Sequence, residues 1–266
     1  MIIDSHTHVF PDTLAERAIA KLSVNSGLVP STDGTVSGLI EGLDDCGIDK
    51  AVALNIATKP MQDVKVNDFA LDTAKKYGDK LIVFGSVHPY SECMESELLR
   101  LKENGIKGIK LHPEYQRFEA DDKSVFDMYS LISELGLLVT FHAGFDIAYP
   151  NSDYASPMRL ARVLDRFPDM RAILAHMGGM LKWDEVDELI AGRDCCLDTA
   201  MCAGYIKDDT LMRLIEKHGV EKILFATDTP WNNWADSIAM IERLPLSKEE
   251  KEMIYHKNIE RIIGER

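Results

Sequence analysis

The chain has 266 residues, of which 45% are hydrophobic and 28% are charged, the balance of a globular protein with enough apolar side chains for a large core. Its formal net charge of -14 provides no basic field that would attract nucleic acid or an anionic membrane surface, so we expect neither as a partner. No leader or membrane-spanning segment is recognisable, and we therefore expect a cytoplasmic protein that acts on a small molecule.

Eight short apolar runs recur along the chain, and each is rich in Val, Ile, Leu or Phe. Continuous apolar runs of this length are typical of strands that are buried on both faces of a parallel sheet. In chain order, these runs lie at 2–9, 50–57, 81–89, 106–113, 137–145, 171–179, 195–201 and 222–230.

Helical patterns separate the predicted strands, and several of them end in glycine, the usual residue just past a helix C-terminus. They lie at 36–48, 66–78, 95–105, 123–136, 157–167, 183–192 and 209–219. About eight β-then-α units in one chain of this length favour a closed (β/α)8 TIM barrel over an open sheet. No linker or low-complexity stretch interrupts the alternation, so we expect a single domain over residues 1–266.

Two segments depart from this alternation, residues 11–35 after the first strand and residues 144–157 after the fifth. Both follow the carboxyl end of a strand, which is the end of a barrel where active-site loops gather. We therefore expect them to form walls of a substrate site.

Histidines concentrate at the carboxyl ends of the predicted strands. His6 and His8 are two residues apart, so both imidazoles point to the same face of their strand, which in a barrel is the inside. Two imidazoles on one face can bind a single ion, and imidazole is a ligand suited to zinc, nickel or iron. A single strand-end histidine is equally typical of a polar core residue bonded to backbone, but six of the eight lie at such ends: His6, His8, His88, His112, His142 and His176.

Asp228 ends the last predicted strand, in the run FATDTPW. In a closed barrel the last strand pairs with the first, so we expect this carboxylate beside His6 and His8. The alternative role, N-cap of the following helix, is weaker because Thr229 and Asp236 lie nearer the expected helix start.

An ordered set of motifs spans the chain: DSHTH at 4–8, GIKLHP at 108–113, FHAG at 141–144, AHMGG at 175–179, FATDTPW at 225–231 and NIERIIG at 258–264. Together they resemble the amidohydrolase superfamily, and within it the amidohydrolase-related branch that includes aminocarboxymuconate semialdehyde decarboxylase. The ordered set is far more specific than any one of the motifs.

The resemblance implies one divalent metal ion, most often zinc, held by His6, His8, His142 and Asp228 with a water in an open position. It implies that His176 serves as an acid or base, or binds a second metal in binuclear relatives. It also implies a small substrate, and homodimers are frequent in the resembling family.

Lys110 lies on the fourth predicted strand and has three interpretations. As an ammonium ion it pairs with Asp228 or with a substrate carboxylate. As a carbamate it bridges two metal ions, which the resemblance to binuclear amidohydrolases implies. In the third interpretation it belongs to a structural ion pair. An ammonium beside a metal is repelled unless carboxylates offset it, so its partner decides among the three.

A metal with an open position lowers the pKa of bound water towards ~7, which creates a nucleophile at neutral pH. We expect Asp228 to take the proton of that water and His176 to act as an acid or to polarise the substrate. The first expectation is therefore a hydrolase of a small ester, lactone or amide.

Two alternatives remain open at this point. The first is a metal-dependent carboxy-lyase or hydratase on a small unsaturated or cyclic acid, and the second is a barrel that binds metal without catalysis. We expect a carboxylate-bearing substrate and assign it four contacts, Lys110, His112, Arg117 and Trp231. An arginine can pair with a carboxylate in a bidentate manner, although Arg117 lies among acidic residues that can also bind it.

Overall fold

Parallel β-strands alternate with helices in a computed structural model that describes residues 1–264. The predicted domain of residues 1–266 extends two residues beyond this part of the chain. The strands are β1 (Ile3–Thr7), β2 (Lys50–Leu54), β3 (Leu81–Phe84), β4 (Gly108–Leu111), β5 (Leu138–Phe141), β6 (Ala172–Leu174), β7 (Cys196–Asp198) and β8 (Ile223–Leu224).

The helices cover the outside of the strands, and the first of them lies within the segment that follows β1. None of those in residues 1–264 is long and apolar enough to cross a membrane. The helices are α1 (Asp12–Ser26), α2 (Val36–Cys46), α3 (Asp63–Tyr77), α4 (Met94–Glu103), α5 (Pro113–Gln116), α6 (Phe126–Glu134), α7 (Pro157–Arg166), α8 (Trp183–Leu189), α9 (Asp208–His218), α10 (Trp234–Glu242), α11 (Lys248–Glu252) and α12 (Asn258–Ile263).

Backbone hydrogen bonds join the eight strands into a ring. Regular ladders connect β1, β2 and β3, and a second set connects β4 through β8. Between β3 and β4, the Lys110 N–H donates to the Gly85 carbonyl at 2.9 Å. Between β8 and β1, the Ser5 N–H donates to the Phe225 carbonyl at 2.8 Å, and the Asp228 N–H donates to the His6 carbonyl at 2.9 Å. The closed TIM barrel predicted from the alternation is confirmed.

Two layers of apolar side chains hold the barrel together. The larger one lies between the strands and the surrounding helices. The smaller one combines strand residues such as Val52 and Phe84 with Ile259, Ile262 and Ile263 of α12. The spacing of the three isoleucines predicts a buried stripe, and all three are buried.

A β-bulge in β1 decides which of its side chains face inwards. Ile3 and Asp4 pair with successive residues of β2, but Thr7 pairs with Ala53, so β1 carries one extra residue between Asp4 and Thr7. Strict alternation would turn Ile3 and His6 to opposite faces. Because of the bulge, Ile3 packs in the small apolar cluster while His6 reaches the cavity at the carboxyl end of the barrel.

Asp4 links β1 to the segment that follows β8. Its Oδ1 accepts from the backbone N–H groups of His6 and Thr227, both at 3.1 Å. Its Oδ2 accepts from the Thr227 hydroxyl and from Trp234 Nε1, the latter at 2.8 Å. Both oxygens of this fully buried carboxylate are therefore used as acceptors from groups on the two sides of the seam.

We expect the substitution Asp4→Asn to destabilise the protein by about 1–3 kcal/mol, because an amide nitrogen would face donors and leave them unsatisfied. The midpoint of urea unfolding measures this loss. Ser5→Ala is the matched control, since the buried Ser5 hydroxyl has no hydrogen-bond partner among the described residues. Equal midpoints for Asp4→Asn and Ser5→Ala would contradict the role given to Asp4.

Candidate metal centre

Three side chains meet where β8 closes against β1. The Nε2 atoms of His6 and His8 lie 3.2 Å apart. Asp228 Oδ1 lies 3.5 Å from His6 Nε2 and 3.1 Å from His8 Nε2. All three residues are largely buried, and one ligand atom from each lies within 4.8 Å of the others. The pairing of the last strand with the first brings the group together, as the sequence predicts.

The hydrogen bonds of the two histidines fix which nitrogen carries the proton. His6 Nδ1 donates to Asp198 Oδ2 at 2.8 Å, and His8 Nδ1 donates to the Leu54 carbonyl at 2.9 Å. In a neutral ring with this arrangement, Nε2 carries a lone pair. Two such lone pairs 3.2 Å apart repel each other, and a cation or a proton between them relieves the repulsion.

Asp228 completes a donor set for a cation. Its Oδ1 is buried without a hydrogen-bond partner anywhere in residues 1–264. Burial acts to raise its pKa, but the interactions with His6 and His8 outweigh this, and the pKa of Asp228 is lowered to about 2. Two imidazole nitrogens and one ionised carboxylate are ligands that zinc and similar divalent ions accept. The residues present therefore fit the metal that the resemblance implies.

Lys110 lies beside this group at the bottom of the cavity. Its side chain is 1% exposed, and its Nζ lies 3.3 Å from His6 Nε2. Burial lowers the pKa of Lys110 to about 8, although Asp198, Asp228 and Glu114 act in the opposite direction. Lys110 thus lies among these carboxylates and beside His6, where it can also pair with an anion that enters the cavity.

His142 and His176 form a relay on the other side of the cavity. His176 Nδ1 donates to the Ala200 carbonyl at 3.0 Å. In a neutral His176 ring, Nε2 then accepts the hydrogen bond from His142 Nδ1 at 3.1 Å. The remaining nitrogen, His142 Nε2, is buried and has no partner among the described residues. One more lone pair therefore faces the cavity.

His142 belongs to a second group, with His112 and Asp146. The rings of His112 and His142 are stacked, with centroids 4.1 Å apart and an angle of 8°. Asp146 Oδ2 lies 3.4 Å from His112 Nε2 and 3.8 Å from His142 Nε2. The family resemblance implies that His142 binds the same ion as His6, His8 and Asp228. In the structure its contact with His176 and its stacking on His112 place it with this second group.

Burial also sets the charges of the remaining groups. It is the main cause that lowers the pKa of His6, His112 and His142 well below the usual value, so these rings are neutral at pH 7. Burial raises the pKa of Glu114 to about 7, and it raises the pKa of Asp146 as well. The neutral rings keep their lone pairs available for a cation.

A cavity of about 620 Å³ opens above these groups. Both segments that the sequence singles out, 11–35 and 144–157, contribute to its wall, although much of the first forms α1. Among the sequence-predicted site residues, those that line the cavity are His6, His8, Lys110, His112, His142, His176, Asp228 and Trp231.

Arg117 does not line the cavity, so the structure does not bring it together with the other predicted substrate contacts. It ends the short helix α5 in a left-handed conformation with φ of 58°, and its side chain is exposed. Sequence reasoning also missed Asp198, the partner of His6 Nδ1. Its position at the end of β7, on the same rim as the histidines, is the signal that would have revealed it.

The model of the family described as Amidohydrolase matches residues 3–264 of this sequence. The chain belongs to the amidohydrolase family. The resemblance drawn from the ordered motifs is thereby confirmed. A search of curated proteins by sequence finds no match.

Solved structures share the fold at low sequence identity. The 5-carboxyvanillate decarboxylase of Novosphingobium aromaticivorans, complexed with manganese and 4-hydroxy-3-methoxy-5-nitrobenzoic acid, is 15% identical with a TM-score of 0.77 and covers 99% of this chain and 96% of its own. The 2,6-dihydroxybenzoate decarboxylase from Rhizobium is 15% identical with a TM-score of 0.73, at 99% and 98% coverage. An uncharacterised TIM-barrel protein of Bordetella bronchiseptica is 19% identical with a TM-score of 0.77, at 99% and 98% coverage.

We expect His8→Ala to weaken the binding of a divalent cation by more than about 10-fold, since even the loss of an outer partner of a ligand costs that much. Metal content per chain after dialysis, measured by plasma mass spectrometry, tests this. His256→Gln is the control, because His256 pairs with Glu260 on the last helical segment, away from the cavity. Full metal content in His8→Ala would contradict the assignment.

Proposed function

We propose that this protein is a metal-dependent carboxy-lyase that releases carbon dioxide from a small carboxylic acid. The observation that carries the proposal is the buried Lys110, whose ammonium group lies 3.3 Å from His6 Nε2 at the bottom of the cavity. A carboxylate bound there pairs with Lys110 and lies next to the group of His6, His8 and Asp228. The cavity thus offers a carboxylate both a partner charge and a neighbouring cation site.

The comparisons support the same choice. Two of the similar structures are named as decarboxylases of aromatic acids, and one of them is described in complex with manganese and a substituted benzoic acid. The sequence alone places the hydrolase first and the carboxy-lyase second, and these neighbours favour the reverse order. The hydrolase is kept as the second candidate because the matching family model is described as Amidohydrolase.

His6, His8 and Asp228 would hold the divalent cation, and His142 offers its unpartnered Nε2 as a further ligand. When bound, the cation supplies Lewis-acid attraction for a substrate oxygen. The sequence predicts zinc, and one similar structure contains manganese. A second metal bridged by a carboxylated Lys110 stays a prediction, and two ions per chain in the metal measurement would favour it.

The chain's own residues account for the rest of the reaction. Lys110 binds and orients the carboxylate. The carbon–carbon bond to the carboxyl group breaks, carbon dioxide leaves, and the electron pair stays on the carbon, which takes up one proton. His176 and Asp228 border the cavity and are the proposed proton carriers. Both ring nitrogens of His176 make hydrogen bonds, so His176 exchanges a proton with the substrate only after its contact with His142 Nδ1 has opened.

Turnover of a panel of carboxylic acids tests the reaction type. The panel contains hydroxybenzoic acids and unsaturated cyclic acids labelled with ¹³C in the carboxyl group, together with lactones, esters and amides. We expect labelled carbon dioxide from at least one acid, and in D₂O one deuterium at the carbon that lost the carboxyl group. Turnover of a lactone, ester or amide without any carbon dioxide would overturn the proposal in favour of the hydrolase.

The variant His176→Asn is compared with the native protein in the same assay. A positioned acid or base contributes about 100-fold or more to a rate, so we expect kcat to fall by at least that factor while metal content is unchanged. An unchanged kcat would remove His176 from the reaction. Unchanged metal content with no activity on any compound, in the native protein, would favour the barrel that binds metal without catalysis.

A further inference from the structure

The cavity extends well beyond the groups that the proposed reaction uses. Its outer part runs between α1 and α3, and the segment after β2 forms a third side. The residues of this outer wall are Phe10, Pro11, Thr13, Leu14, Leu22, Ser26, Leu28, Ile56, Thr58, Gln62, Lys65, Val66 and Phe69. We call this region the outer chamber.

The chemistry of the outer chamber differs from that of the cavity bottom. Most of its side chains are apolar, and within the described part of the chain Lys65 is its one charged lining residue. Phe10, Leu22 and Phe69 are only partly buried and line the cavity, and Phe69 also packs against the main core. Burying such surfaces against an apolar ligand is favourable by about 25 cal/mol per Å².

The mouth of the chamber is apolar as well. Leu14, on α1, lines the cavity and is 42% exposed. Val29 and Met61, which are next in sequence to the lining residues Leu28 and Gln62, are 87% and 91% exposed. Apolar side chains concentrated around one opening mark a path for an apolar ligand rather than for a sugar or a phosphate ester.

The size of the cavity fits a ligand larger than a single ring. A volume of about 620 Å³ lies within the range of roughly 300–1,000 Å³ typical of cavities that enclose drug-sized ligands. A monocyclic acid bound at Lys110 would leave the outer chamber filled with water against apolar walls. The chamber is continuous with the cavity bottom, so one molecule can occupy both.

We propose that the substrate is a carboxylic acid with an extended apolar substituent, an alkyl chain or a second ring, which lies in the outer chamber between α1 and α3. This inference rests on the proposed function for the position of the carboxylate at Lys110. The chamber, rather than the metal group, then selects the substrate.

Calorimetric titration of the metal-loaded protein tests the inference by binding alone. The probes are benzoic acid and its 4-ethyl, 4-butyl and 4-hexyl derivatives. Since each buried methylene strengthens apolar binding by roughly fourfold at most, we expect the Kd to fall by about twofold to fourfold per added methylene. Kd values that do not change along the series, or no binding by any member, would overturn the inference.

A pair of matched variants locates the effect. Val66→Trp places a bulky ring in the outer chamber, whereas Val64→Trp makes the same change two residues away on α3, at a position that does not line the cavity. We expect Val66→Trp to weaken the 4-hexyl derivative by at least tenfold and benzoic acid by less than twofold, and Val64→Trp to change neither. Equal effects of both variants would overturn the location, and circular dichroism and metal content verify that both fold.

The two proposals fail separately. Binding that strengthens with chain length, combined with no carbon dioxide from any acid, would leave the outer chamber as an apolar ligand site and overturn the carboxy-lyase. Carbon dioxide release without dependence of binding on chain length would overturn the chamber inference and leave the carboxy-lyase.

Discussion

The hydrogen bonds that close β8 against β1 are the constraint on which the site depends. The Asp228 N–H donates to the His6 carbonyl, so the carboxylate at the end of the last strand lies directly beside the histidines of the first. Asp4 reinforces the same seam with four accepted hydrogen bonds. The bulge in β1 then sets the direction of His6 and His8. The hydrogen bonds that close the barrel therefore also bring the metal-ligand candidates together. We expect weaker pairing of β8 with β1 to disturb both.

Burying this many polar groups at one barrel end is unfavourable unless each has a partner. Some of these groups have partners outside the cavity: Asp198 and the Leu54 carbonyl accept hydrogen bonds from the Nδ1–H groups of His6 and His8. What remains unsatisfied faces the cavity, where lone pairs of the neutral rings and the carboxylate of Asp228 meet the ammonium group of Lys110. The unpaired polar atoms thus lie where a cation and an anionic substrate can bind them. The apolar outer chamber limits which other ligands can bind.

Much of this arrangement follows from local patterns in the sequence. The period of two places His6 and His8 on one face, and eight β-then-α units place Asp228 next to them by closing the ring. The helix α1 was not predicted, because residues 11–35 show a weaker helical pattern than the other segments. The partners of His142 and the exposure of Arg117 depend on ring orientation and on a left-handed residue after α5, and neither leaves a pattern in the sequence. The sequence does not decide the order of the two reaction types either, since the donor set suits hydrolysis and decarboxylation equally.

The most direct test of the account is the position of the metal in crystals of the protein loaded with zinc or manganese, read from anomalous diffraction. The account predicts one peak about 2.0–2.2 Å from His6 Nε2, His8 Nε2 and Asp228 Oδ1, the distances that such ligands make to zinc. A peak bonded instead to His112 and Asp146, with the closure of β8 against β1 intact and no metal beside it, would contradict the account.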